Sequence, residues 1–185
     1  MRTLNELERV IIGVDPGMGV GKPCAAVAVG FWPDGEATVL DWADACIEKG
    51  DTLVFSLVGR WQWEVVRLVE IQMQSGLTPV YVVCEQATAR GKFGFKNQSL
   101  VYHVGQVCDT LGVTFLPPIS PTRLKKLVTG SGKATAAEVA RKIRAEVING
   151  EMLPKSAGFD HEAAAGAAVA GNKELVEELN MGVAI

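Results

Sequence analysis

The chain has 185 residues, 48% of them hydrophobic, and a net charge of −3. That length holds one domain with a substantial core and is short for two. No apolar run approaches a membrane span, and the opening residues MRTLNELE carry no apolar stretch of the secretory kind. The expectation is a single cytoplasmic domain over 1–185, with no membrane partner and with peripheral tails at 1–8 and 173–185. Cys24, Cys46, Cys84 and Cys108 are scattered through apolar surroundings without a CxxC or Cys/His pairing. They read as reduced, mostly buried thiols, not as a disulfide framework or a zinc site.

In chain order, Val10 to Val14 is a short apolar run ended by Asp-Pro-Gly, and Cys24 to Phe31 is a second, closed by Pro33-Asp34-Gly35. Both predict strands. The alternation ATVLDWA before residue 44 predicts a third, so that the three make an antiparallel meander. Leu57, Trp61, Val65, Leu68 and Ile71 recur at helical spacing between Phe55 and Gln74, with Gly76 as a stop. PVYVVC is a continuous apolar strand running into Glu85; Ser99 to Leu111 predicts a helix and Val113 to Leu116 another strand. Strands alternating with helices imply parallel pairing in this half. A Pro-rich turn, a short helix around Arg123 to Val128, the loop TGSGK, a helix over 134–148 and a small-residue helix starting in GFDHEAAAGAAVAG complete an α/β pattern.

The mean charge hides a segregation. Residues 90–146 hold ten bases against three acids, a balance of +7 that leaves −10 for the remainder. A basic block beside an acidic remainder is the footprint expected of a phosphate-binding surface; the bland alternative is a set of solvated helix faces.

Three acidic positions carry the chemical argument. Asp15 ends one buried strand at a turn, and Glu85 ends another, so parallel neighbours would bring both carboxylates to one edge of a sheet. Two acids at one rim repel, and a divalent cation is the natural compensation. Asp160, His161 and Glu162 stand at the start of the small-residue helix. On a helix Asp160 and position 164 lie about 40° apart, which favours Asp160 and His161 over Glu162 for facing the rim, although Asp160 also suits a helix N-cap. Acids on three separate elements suit two-metal hydrolysis of a phosphodiester. The segment EQATARGKFGFKNQSL interleaves Arg90, Lys92 and Lys96 with Phe93 and Phe95, a composition suited to stacking on unpaired or distorted nucleic acid, unless both rings tuck into the core. GMGVGKP has three residues between Gly17 and Gly21 and Pro23 in place of a hydroxyl, and GSGKA lacks the upstream glycine, so neither is a Walker loop and no nucleotide cofactor is expected.

In their order and spacing, IIGVDPGMG, VVCEQ, FKNQSL with Gly105-Gln106, LKKLVTGSGKA and DHEAAAG resemble the RuvC-like Holliday-junction resolvases of the RNase H-like fold, over roughly residues 10–171. The resemblance implies a phage or bacterial homodimeric endonuclease with a mixed five-stranded sheet, three strands antiparallel and two parallel, flanked by helices. It implies cutting of four-way or branched DNA with Mg2+, or Mn2+ in its place, as two ions. Asp15, Glu85, Asp160 and His161 would be catalytic, with Glu162 a further metal ligand. Phe93 or Phe95 would wedge into the junction, Arg90, Lys92 and Lys96 would support it, and Lys125, Lys126 and Lys133 would contact phosphates. Two departures stand out. Ala136 occupies a position where many members carry lysine, a role open to Lys133, and Ala164 stands where the terminal helix usually carries an aspartate. Either Asp160, His161 or Glu162 substitutes, or the chain is an inactive form. The alternatives are a non-catalytic junction-binding protein on the same fold and, less well matched in length, an actin-like ATPase.

Overall fold

The computed structural model describes residues 3–16, 23–46, 54–74, 76, 79–86, 94–155 and 159–182, without the side chains at 23, 46, 54–63, 94–97 and 99. Five strands, β1 (Arg9–Asp15), β2 (Pro23–Phe31), β3 (Ala37–Cys46), β4 (Val80–Cys84) and β5 (Thr114–Phe115), form one sheet in the order β3-β2-β1-β4-β5. The first three are antiparallel neighbours, while β4 pairs parallel to β1 and β5 parallel to β4, as the sequence pattern predicts. The helices are α1 (Val54–Gln74), α2 (Gly94–Leu111), α3 (Pro121–Thr129), α4 (Ala136–Glu146) and α5 (Asp160–Asn180).

β1 is central and buried on both faces, hence its unbroken apolar sequence. Val10, Ile12 and Val14 join Val65, Leu68, Leu100 and Val104 in one core layer beneath α1 and α2. The alternate residue Ile11 joins Val27, Val83 and the alanines of α5 in a second layer on the opposite face. α3 and α4 pack on α5 and on each other. Both are capped by sequence-encoded devices. Ser120 accepts from the Arg123 amide ahead of Pro121, with Gly130 left-handed at the far end, and Thr135 and Glu138 form a reciprocal capping box. None of the helices in the described residues is long and apolar enough to cross a membrane.

Three boundaries differ from the sequence expectations for physical reasons. β5 is only two residues long: the Leu116 amide still donates to Val82, but Pro117 and Pro118 beyond it lack amide donors. α4 stops at Glu146 because the β-branched pair Val147-Ile148 turns extended and Ile148 bridges to Thr38 at the edge of β3. The stretch from 173, expected as a peripheral tail, instead continues α5 to Asn180. Leu175 is buried, Lys173 donates to the Leu127 carbonyl, and Arg123 pairs with Glu174 at 2.9 Å and Glu177 at 3.5 Å.

α5 reaches the sheet through small residues. A Cβ placed on Gly13 would lie 1.9 Å from the Ala164 carbonyl oxygen and 2.6 Å from the Ala168 amide, and one on Gly171 would lie 3.1 Å from Val83. Helix backbone thus rests directly on strand backbone, which only glycine at 13 permits. Gly13→Ala is therefore expected to cost about 3 kcal/mol or more of folding stability. Denaturant unfolding checks this, and a loss under about 1 kcal/mol would contradict the packing.

Candidate active site

Alternation along β1 sends Gly13, and with it Asp15, to the α5 face of the sheet. On β4 the same alternation sends Val83, and with it Glu85, to that face. Gly13 pairs with Val83 and Val14 with Cys84, and the Glu85 amide donates to the Val14 carbonyl at 2.9 Å. Asp15 and Glu85 are consequently next in register on adjacent parallel strands, about 4.8 Å apart along the pairing direction. The expected juxtaposition of these two carboxylates at one rim is what the fold produces.

Both are partly buried. Burial pushes the Glu85 carboxyl above its usual range, and the Lys125 ammonium pulls it part of the way back. Lys125 comes near because the Ile119 amide donates to Cys84 and the Gln86 amide to Ile119, which ties the chain entering α3 to the end of β4. The neighbouring Cys84 thiol is raised well above its usual range, first by burial and then by Cys108, Cys24 and Asp15. It is an inert core group. Cys24 and Cys108 are likewise buried, and the Cys46 side chain lies outside the described residues.

The first turn of α5 is the third contributor. Phe159 adopts the left-handed conformation with φ 58° and offers no side-chain cap, so Asp160 is the first helical residue and not the N-cap. A bulky residue in that conformation stores backbone strain. Asp160, His161 and Glu162 are all buried, and they diverge.

His161 turns to β3, its Nε2 3.0 Å from Asp44 Oδ2 and its ring edge-on to Trp42 with centroids 5.2 Å apart. Glu162 turns to α4, where Oε1 accepts from Arg144 Nε at 2.8 Å. The same guanidinium reaches the carbonyls of Gly150, Glu151, Leu153 and Pro154 at 3.0–3.4 Å, locking the segment that leads into α5. Glu162 is thereby committed to a structural ion pair and not to the metal-ligand role that the resemblance implies. Ala164, the position where the resemblance implies an aspartate, is fully buried over β1.

Among the described residues, no three His, Cys, Asp or Glu side chains lie close enough together to hold a metal ion. The Asp15–Glu85 pair does fit a divalent cation in donor type and position. Oxygen donors from neighbouring strands, one of them desolvated against its own charge, are what such an ion would compensate.

Of the predicted DNA-contacting residues, Arg90, Lys92 and Phe93 lie outside the described residues. Phe95 and Lys96 fall in the first turn of α2, with their side chains outside the description. Lys125 is half-buried beside Glu85, and Lys126 and Lys133 are exposed. Lys133 and Arg141 also line an open cleft of about 410 Å³ between the end of α3 and α4. Arg141 and Asp44 are the residues of this region that sequence reasoning passed over. For Asp44 the signal was present, since Ala43 and Ala45 alternate with Trp42 and Asp44 along β3.

By sequence, no described protein family and no curated protein matches the chain. Solved structures do. Thermus thermophilus RuvC superposes with a TM-score of 0.67 at 21% identity, covering 94% of this chain and 96% of that one. The same protein in complex with a Holliday junction substrate gives 0.68 at 19% identity and the same coverage. The yeast mitochondrial Holliday junction resolvase Ydc2 gives 0.52 at 13%, covering 92% of this chain and 83% of that one. The fold is therefore RuvC-like: a mixed five-stranded sheet with flanking helices.

Two predictions test the site's physics without reference to activity. Burial raises the folded-state pKa of Glu85 above its unfolded value, so its contribution to stability is fully present at low pH and is lost as pH rises through the folded value. Glu85→Gln should thus unfold at a higher temperature than the parent at about pH 8, with the difference closing towards about pH 4. An unchanged or lower midpoint at the alkaline end contradicts it. Arg144→Met strands the buried Glu162 carboxylate and should cost about 3–5 kcal/mol in denaturant unfolding.

Proposed function

We propose that this chain is a divalent-metal-dependent endonuclease that cuts four-way or branched DNA, acting as a homodimer. The observation that carries the proposal is the Asp15–Glu85 pair, side by side at one sheet rim beneath the start of α5. Its support is that this pair sits in a fold shared with two Holliday junction resolvases, one of them solved with its junction substrate. Asp15 and Glu85 would hold the magnesium or manganese with water completing its coordination, while Asp160 and His161, buried in the first turn of α5, form no three-donor cluster with them. Bound at such a rim, the metal supplies an activated water and stabilises developing charge on the phosphate. Lys125 adds a fixed positive charge next to Glu85. Lys126, Lys133 and Arg141 provide exposed bases for the DNA backbone, since Arg123, Lys142 and Arg144 are engaged by Glu174, Glu146 and Glu162.

A second reading is favoured by one observation, the absence of a donor at Ala164 from a site whose described acids do not form a three-donor cluster. On this reading the protein binds junctions without cutting them. Cleavage of a synthetic four-way junction in Mg2+ separates the two. The nuclease reading predicts metal-dependent nicking that is lost in Asp15→Asn and increased in Ala164→Asp, with Ca2+ supporting binding only. Tight binding with no cutting by either the parent or Ala164→Asp would establish the binding reading instead. In both cases junction affinity should fall steeply between about 50 and 200 mM salt, because each neutralised phosphate releases counterions. A flat salt response would remove the basic surface from the account.

A further inference from the structure

The face of the sheet beneath α5 has a second end, remote from the carboxylate rim. Alternation along β1 places Arg9 on the face of Ile11 and Asp15, six residues and about 20 Å from Asp15. Its register partner on β2 is Phe31, the last residue before the turn that leads into β3. On α5, Asn172, Val176 and Leu179 recur at helical spacing and meet this turn at a cleft of about 370 Å³ whose lining includes Arg9 and Trp32. A second cleft of about 350 Å³ adjoins it, sharing Phe31, Asp34, Gly35 and Asn172 and continuing to Val147 and Lys173. The two make one groove that passes from the Trp32 side of the turn to its Ala37 side.

Two polar groups in this groove are left unused. Arg9 is only 8% exposed, and its Nη1 is buried with no hydrogen-bond partner, while Nη2 pairs with Glu8. Asn172 Oδ1 is likewise buried without a partner. A buried donor and a buried acceptor in that state are costly unless a ligand engages them. Charge restricts what the ligand can be. Each base lining the groove is already committed, Arg9 to Glu8, Lys142 to Glu146, and Lys173 to the Leu127 carbonyl. Asp34 and Glu36 are exposed at the turn. A phosphate or carboxylate would therefore meet two acids and no spare cation. A neutral group that accepts from Arg9 and donates to Asn172 fits better, and the peptide group is one.

We propose that this groove binds an extended segment of a partner protein, apolar at its centre and flanked by lysine or arginine. A backbone carbonyl of the segment accepts from Arg9 Nη1, and a backbone N–H donates to Asn172 Oδ1. Its apolar side chains cover Val176 and the half-exposed Leu179, and its flanking bases face Asp34 and Glu36. Main-chain hydrogen bonds supply the affinity in such recognition, and the side-chain environments set the sequence preference. The inference does not rest on the nuclease reading, because the groove lies at the other end of β1 from Asp15 and Glu85.

The test is a titration of the full chain with the capped peptide acetyl-Lys-Val-Leu-Lys-amide, followed by NMR at the Asn172 side-chain amide and the Trp32 indole N–H. Saturable shifts at both are expected. Replacing the two lysines of the peptide by glutamates should weaken binding about tenfold at low salt. Methylating the valine and leucine backbone nitrogens of the peptide removes its central donors and should also weaken binding about tenfold, with the protein unaltered. Asn172→Leu, read at Trp32, should do the same. Absence of saturable shifts at millimolar peptide overturns the proposal. So does a glutamate or N-methylated peptide that binds as tightly as the original, or an affinity undiminished in Asn172→Leu.

Discussion

The contact between the backbone of α5 and that of β1 at Gly13 is the constraint from which the rest of the site follows. A helix separated from a sheet by ordinary side chains would start well above the rim. Here Gly13, Ala164, Ala168 and Gly171 remove that spacing, and the first turn of α5 comes down among the strand ends. Asp160 and His161 are buried for this reason. The same closeness accounts for the alanine-rich composition of the helix: residues that must press against a strand are small, and their helix propensity keeps the segment rigid despite its glycines.

Burying acids at the rim is unfavourable, and the fold distributes that cost. Glu162 is neutralised by Arg144, which also fastens the chain from Gly150 to Pro154. His161 lies with Nε2 3.0 Å from the Asp44 carboxylate and its ring edge-on to Trp42. Glu85 is compensated only in part by Lys125, and its carboxyl remains shifted upward. A protein selected for stability alone would not leave a desolvated carboxylate beside a second one on the next strand. Such local cost, offset elsewhere in the fold, is characteristic of sites that bind a charged ligand.

Much of this was legible in the sequence, and for identifiable reasons. The apolar runs ending in Asp15 and Glu85 announced two strands and the positions of their terminal acids, and the apolar run of β2 closed by Pro-Asp-Gly together with the period-2 alternation of β3 announced the meander. Parallel pairing of β1 with β4 followed from the intervening helix. What could not be read was partner choice between distant segments. Arg144 and Glu162 are eighteen positions apart, and no local pattern distinguishes their ion pair from a metal ligand and a surface base. The pairing of His161 with Asp44 depends on the register of three strands and the tilt of α5. Residues 173–180, expected as a peripheral tail, continue α5, with Leu175 buried and Arg123 bridging to Glu174 and Glu177.

On the proposed function, the carboxylates of Asp15 and Glu85 jointly bind a divalent cation. Crystals grown with Mn2+ and measured at a wavelength where manganese scatters anomalously test it most directly. An anomalous peak is expected between the two carboxylates, within coordinating distance of both and adjacent to the first turn of α5. Manganese bound elsewhere on the molecule with that rim empty at saturating concentration would contradict it.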